Sequence, residues 1–292
     1  MKRTAVTIIF ICFALAAFSA ARAAGEERCP VFGPLVIYPA PQESCLDDAA
    51  RLPATLTYAA ATKTFTPKNL ARFTKVFSDA GVKLAKGSPK TAQLIFAESD
   101  EKHPGAFRDE GYKIETASSP FSIKISARSE TGFLYAATTL KALVVSGQGK
   151  SMIYTGHVND YPKFTYRGVL DGGYDIWQYP NRLDILKWLG SVKFNFFIYA
   201  PKEDPYFRRQ WRVPYPPEMI EQFKNYIKAC KDDNVIFSFA LSPALSMEYS
   251  NPKDFDTLVK KYRQIQALGV DNFGIFFDDV LPFLGTPNDR RM

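Results

Sequence analysis

Two neighbouring acids, Asp278 and Asp279, close the stretch FGIFFDDV, in which an apolar, aromatic run ends abruptly in like charge. Adjacent strand residues point to opposite sides, so two acids at a strand tip reach different parts of one bound molecule. Held close together away from bulk water, they resist simultaneous ionisation and their titrations separate. One then stays charged while the other keeps a proton, the division that general acid catalysis needs. An isolated acid pair more often solvates a strand end or caps the next helix. Three more clusters stand at comparable places: Asp171-Gly172-Gly173-Tyr174, Lys202-Glu203-Asp204 and Ser242-Pro243.

The elements that must position these clusters follow a strand–helix rhythm from Phe164 onward. Near-continuous apolar runs at Tyr166–Leu170, Lys193–Tyr199, Val235–Leu241 and Val270–Phe277 read as strands. Amphipathic stretches at Asn181–Leu189, Pro217–Lys231 and Pro252–Leu268 read as helices, with Pro217 suited to a first turn and Gly269 to a C-terminal cap. Apolar strands alternating with such helices predict a parallel sheet covered on its outer face. Every cluster then falls at a strand's C-terminal end, where a (β/α)8 barrel gathers its active site. A doubly wound sheet would place ligands there too, but its G-x-G-x-x-G turn is missing from DGGYDIW. Only 129 residues follow Lys163, against about 250 for a whole barrel. Four βα steps make the first half of a (β/α)8 TIM barrel and mark the sequence as a portion of a longer enzyme.

Before this lies a different rhythm. TAQLIFAE, EGYKIETA and FSIKISAR read as strands, and SETGFLYAATTLKALVVS reads as a helix. Phe133, Leu134, Ala137, Leu140 and Leu143 mark its apolar face, with Ser129 as N-cap. Three or four strands under such a helix predict a small α+β domain, with Asp160-Tyr161-Pro162 as the junction. The expected division is a signal peptide at 1–23, an α+β N-terminal domain at 24–162 and the partial barrel at 163–292.

The signal is read from basic Lys2 and Arg3, the apolar run TAVTIIFICFALAAF and an A-x-A site at Ala21–Ala23. Cleavage there predicts a secreted or periplasmic protein with no membrane span in the mature chain. It also lowers the formal charge of +7 by three, with the loss of Lys2, Arg3 and Arg22. The remaining charge forms no dense basic block, which argues against nucleic-acid binding. Cys29 and Cys45 could close a small loop in an oxidising compartment, while Cys230 sits on an apolar helix face as a buried thiol. His103 and His157 are the only histidines and lie far from the clusters, so neither a His-based triad nor a metal site is expected, and no cofactor is implied.

The segment RGVLDGGYDIWQYPNRLDILKWLGSVKFNFFIYAPKEDPYFRRQWRVPYP resembles the opening of the catalytic barrel of glycoside hydrolase family 84. These are β-N-acetylglucosaminidases, including bacterial O-GlcNAcases and hyaluronidase-like proteins. The family pattern G-V-x-E-G-F-Y-G, then Y-A-P-K-D-D-P-Y-H-R-x-x-W-R-x-P-Y-P, then a strand ending in D-D, is matched at Gly168–Asp175, Tyr199–Pro216 and Phe276–Asp279. The α+β segment is similar to the small domain preceding such barrels, including G-F-L-Y-A-x-x-T-L-x-x-L at Gly132–Leu143.

The resemblance implies hydrolysis of terminal N-acetylglucosamine from a glycan or glycoprotein, with retention and with the substrate's 2-acetamido oxygen as nucleophile. It implies that Asp278 holds the acetamido N–H and that Asp279 protonates the departing oxygen and then activates water. Lys202 would donate to a sugar hydroxyl, Gly172 would let the backbone approach the sugar, and Tyr174 would offer its phenol. Asp204 and Arg212 would hold the loop after the second strand. Departures from the pattern are Asp171 for Glu, Gly173 for Phe, Asp175 for Gly, Glu203 for Asp and Phe207 for His. A family 20-type hexosaminidase is the alternative enzyme, disfavoured because its catalytic pair is Asp-Glu. An inactive or glycan-binding remnant is the non-enzymatic alternative.

Overall fold

The computed structural model describes residues 35–100, 109–147, 149–173 and 177–277. They build two sheets. The first contains β1 (Glu43–Arg51), β2 (Thr55–Ala60), β3 (Lys83–Lys86), β4 (Leu94–Glu98), β5 (Tyr112–Ser118), β6 (Phe121–Ala127), β7 (Val144–Gly147) and β8 (Lys150–Asp160). Their order is β1-β8-β5-β6-β4-β2-β3, with β7 paired to β8. Pairing is antiparallel on the β1 side and parallel across β6, β4, β2 and β3.

Helices α1 (Pro67–Asp79) and α2 (Glu130–Leu143) carry the apolar cover of this sheet. Ser129 caps α2 by accepting from the Gly132 amide at 3.1 Å, and the five expected apolar positions are all buried. Gly132 is required by closeness: a Cβ there would stand 2.6 Å from the Gly111 carbonyl oxygen. Thr66 and Asn69 form a reciprocal capping box that starts α1 and turns Phe73 and Phe77 inward. Phe65 stacks on Phe96 at 3.9 Å between ring centres, and Phe73 lies 4.7 Å from Phe96. Two expectations change. The sheet has eight strands rather than three or four. The chain after Leu143 leaves the helix because Val144 and Val145 pair with Ile153 and Met152 as β7, a use suited to β-branched residues.

The second sheet contains β9 (Gly168–Asp171), β10 (Phe196–Tyr199), β11 (Ile236–Leu241) and β12 (Asn272–Ile275), side by side and parallel. Helices α3 (Tyr179–Ser191), α4 (Pro217–Asp232) and α5 (Pro252–Gln266) alternate with these strands, giving the first half of a barrel. One face of the strands turns Phe197, Tyr199, Phe237, Phe239 and Leu241 into a core with Phe223, Tyr226, Leu258 and Ile265. The other face carries Ile198, Ala240 and Phe276, packed with Ala200 and Phe207. Gly168 permits close strand pairing, since a Cβ would fall 1.7 Å from the Phe196 carbonyl oxygen. Gly269 takes φ +85° just after α5, as a helix-ending glycine does.

Buried charge joins the two sheets. Glu110 accepts from Arg167 at 2.9 Å and from the Asn195 amide at 3.2 Å. Lys193, at φ +58°, donates to Asp160 at 2.8 Å and to the Tyr112 hydroxyl at 2.7 Å. Asn234 donates to Thr131 and accepts from Lys68. Cys45 is disulfide-bonded, whereas Cys230 is a buried free thiol whose pKa burial pushes up to about 12. Cys29 and the segment read as a signal lie outside the described residues. Among the described residues no helix is long and apolar enough to cross a membrane, and none form a cluster of metal-ligating side chains.

Candidate active site

The C-terminal ends of β9, β10 and β12 converge on a concavity of about 440 Å³ lined by Leu170, Gly172, Ala200, Lys202, Ile275, Phe276 and Phe277. Two residues singled out from the sequence, Gly172 and Lys202, are thus brought together. Tyr174, Asp278 and Asp279 lie outside the described residues; Asp278 is next in the chain after Phe277, which lines the wall. The β9 and β10 turns are tied by backbone bonds, Ala200 N–H to Asp171 at 3.0 Å and Lys202 N–H to Gly173 at 3.3 Å.

Gly172 has an ordinary negative φ, and the atom nearest a Cβ there would be Leu170 Cδ2, at 2.2 Å. That is the movable tip of a half-exposed side chain, so an alanine can be fitted by rotating Leu170. Gly172→Ala is therefore expected to keep its unfolding free energy within about 1 kcal/mol of the parent, yet to weaken binding of an N-acetylglucosamine thiazoline about tenfold or more. Unchanged affinity would mean that the glycine serves only the turn.

The long connection from β10 to α4 is held by an anion beneath it. Asp204 Oδ2 accepts from the hydroxyls of Tyr199 at 3.0 Å and Tyr215 at 2.8 Å, while Oδ1 accepts from the Tyr206 amide at 2.8 Å. Burial first, and then the charge of Asp204, raises both phenol pKa values well above the ordinary 10.0. Gln264 on α5 treats Tyr215 as a neighbouring strand would, accepting from its N–H and donating to its carbonyl, both at 2.9 Å. Arg212 binds Asp254 through two nitrogens at 2.7 and 2.5 Å and stacks on the buried Trp211. The loop-holding roles expected for Asp204 and Arg212 are the ones the geometry gives them.

Lys261 is buried with its ammonium 4.0 Å from the centre of the Tyr215 ring, donating to the Val213 carbonyl. Burial lowers its pKa from 10.5 to about 8, against the opposing pull of Asp204. The unfolded chain therefore binds more protons than the folded one between about pH 8 and 10, and stability should rise with pH across that window. Denaturation of the parent and of Lys261→Met at pH 7.5 and 9.5 checks this: the rise should be smaller in the variant.

Sequence reasoning missed Arg182. It shares the buried face of α3 with Leu186 and Leu189, at i, i+4 and i+7, and a cation at apolar spacing was the available signal. It donates to Asp171 at 2.6 Å and to the Tyr226 hydroxyl at 3.2 Å, and its guanidinium lies 5.0 Å from the Tyr199 ring centre. Asp171 therefore faces the helix layer. Burial raises its pKa and Arg182 opposes the rise. Phe207, where the family pattern has His, is fully buried and meets Phe276 edge-on at 6.4 Å.

Residues 167–290 match the family described as beta-N-acetylglucosaminidase, and residues 35–161 match glycosyl hydrolase family 20, domain 2. The solved structure of CpGH84B superposes with a TM-score of 0.72 at 27% identity, covering 85% of this chain and 44% of that one. Over residues 167–290 this chain resembles a beta-N-acetylglucosaminidase. The same fold recurs in CpGH84D, with a TM-score of 0.68 at 21% identity over 88% of this chain and 45% of that one. Curated relatives that this chain is similar to include Protein O-GlcNAcase of Rattus norvegicus and of Mus musculus, each 35% identical over 114 residues. The match takes in 39% of this chain and 12% of each relative's length.

Proposed function

We propose that this chain contributes the first half of the catalytic barrel of a β-N-acetylglucosaminidase that releases terminal N-acetylglucosamine from a glycan or glycoprotein. The observation that carries the reading is the meeting of Gly172 and Lys202 on one concavity, whose lining residue Phe277 is followed in the sequence by Asp278-Asp279. In the proposed reaction the 2-acetamido carbonyl oxygen attacks the anomeric carbon as the glycosidic bond breaks. Asp279 gives its proton to the departing oxygen. Asp278 accepts the acetamido N–H and steers that group, Tyr174 supports it, and Lys202 holds a hydroxyl. Water, deprotonated by Asp279, then opens the oxazoline and restores the acetamido group with retention. This is substrate-assisted catalysis, outside the usual two-carboxylate nucleophile scheme.

Export to the periplasm or beyond is part of the proposal, supported by the basic–apolar–A-x-A start and by a disulfide at Cys45. An exported form should begin at Ala24, which N-terminal sequencing reads directly. The activity is tested with a chromogenic N-acetylglucosaminide. Turnover by the 292-residue chain supports the enzyme reading. Thiazoline binding without turnover supports a glycan-binding remnant instead, and absence of turnover in any longer form removes the enzymatic reading.

A further inference from the structure

We propose that Arg182 is a positioning residue that keeps the two ligand-facing turns in register, with Glu203 as its second contact; the ligand part of this rests on the function proposed above. Gly172 is preceded by Asp171, and Lys202 is followed by Glu203. The same guanidinium serves both neighbours: Nε meets Asp171 Oδ2 at 2.6 Å and Nη2 stands 3.8 Å from Glu203 Oε1. Its position is fixed independently by the Tyr226 hydroxyl at 3.2 Å and by the rings of Tyr199 and Tyr226, with centres 5.0 and 5.6 Å away.

The two contacts are unequal. The Asp171 side is a short, buried hydrogen bond, whereas 3.8 Å is an ion pair without one. The other Glu203 oxygen, Oε2, is buried and has no hydrogen-bond partner among the described residues. Burial raises the Glu203 pKa, with Asp171 and Asp204 adding to the rise, and a hydrogen bond from its own backbone N–H and then Arg182 opposing it. The family pattern has Asp at position 203, and a side chain one methylene shorter would reach less far toward Arg182. Glu203 thus gives this chain a tether from the Lys202 turn to the guanidinium that already holds the Gly172 turn.

The test uses the full 292-residue chain and reads local opening by amide hydrogen exchange, with thiazoline affinity beside it. In Glu203→Gln and Glu203→Asp, the Lys202 amide should exchange about tenfold faster and thiazoline should bind about tenfold more weakly, with the melting midpoint and β11 protection unchanged. Arg182→Met leaves Asp171 buried and unpaired, so it is made together with Asp171→Asn. That double variant should speed exchange at both Ala200 and Lys202. Unchanged exchange at Lys202 in the Glu203 variants, or an even acceleration across β9 to β11 in the double variant, overturns the proposal. If the parent chain binds no thiazoline, the functional reading loses support, and the exchange measurements still decide whether Arg182 couples the turns.

Discussion

Replacing Asp279 by Asn is expected to lower kcat on an N-acetylglucosaminide with a poor leaving group by about 10²–10⁴-fold, the range associated with loss of general acid–base catalysis. The loss should shrink for a nitrophenyl leaving group, which departs with little help from a proton, leaving the opening of the oxazoline as the affected step. The basic limb of the pH profile should also be lost, because the group that must keep a proton for the first step is gone. Asp278→Asn should behave differently. Its carboxylate is assigned to the acetamido N–H, so thiazoline affinity should fall with kcat whatever the leaving group. Equal dependence on leaving group in the two variants would dissolve the division of labour between the acids.

The largest effect on stability is expected at Asp204. Its two oxygens serve three donors: Oδ2 takes both buried phenols and Oδ1 takes the Tyr206 amide. Asp204→Ala strands all three and removes the anion beside Lys261. A loss of roughly 2–5 kcal/mol follows from leaving buried donors unmet. Asn is the informative control. It offers one accepting oxygen and an amide that only donates, so it can satisfy the phenol pair or the turn amide, but not both. Its loss should lie between parent and Ala when urea denaturation is compared at pH 7. An Asn variant as stable as the parent would show that the charge and one of the contacts are dispensable.

Much of the barrel half was legible because its strands are nearly unbroken apolar runs. The run Val235–Leu241 became β11 with the loss of one residue at its start. The small sheet was less legible for physical reasons. ESCLDDAAR has no alternation that would mark a strand, and it becomes β1 by pairing with β8 at the sheet edge. β8 itself contains Gly156 at φ +127°, opposite the place where the β1 register shifts. Such a glycine reads locally as a break, though a Cβ there would collide with the Cys45 carbonyl. At the site, Gly172 and Lys202 were named through the resemblance to the family's motifs. Arg182 was not, because its importance lies in partners 11 and 21 residues away that only the folded chain brings beside it.

The Lys193–Asp160 contact bears on how such a molecule can be divided. Asp160 on β8 and Lys193 in the turn between α3 and β10 form a buried ion pair, and the Tyr112 hydroxyl bonds both. Burial draws the Lys193 pKa down while Asp160 pulls it back up, so the ammonium relies on its neighbour across the joint. Cutting the chain between the sheets would give one piece an orphan cation and the other an orphan anion, each set in a surface shaped to exclude water. The two sheets are in this sense halves of one electrostatic unit, and a graft of either onto a foreign partner would have to bring its counterion along.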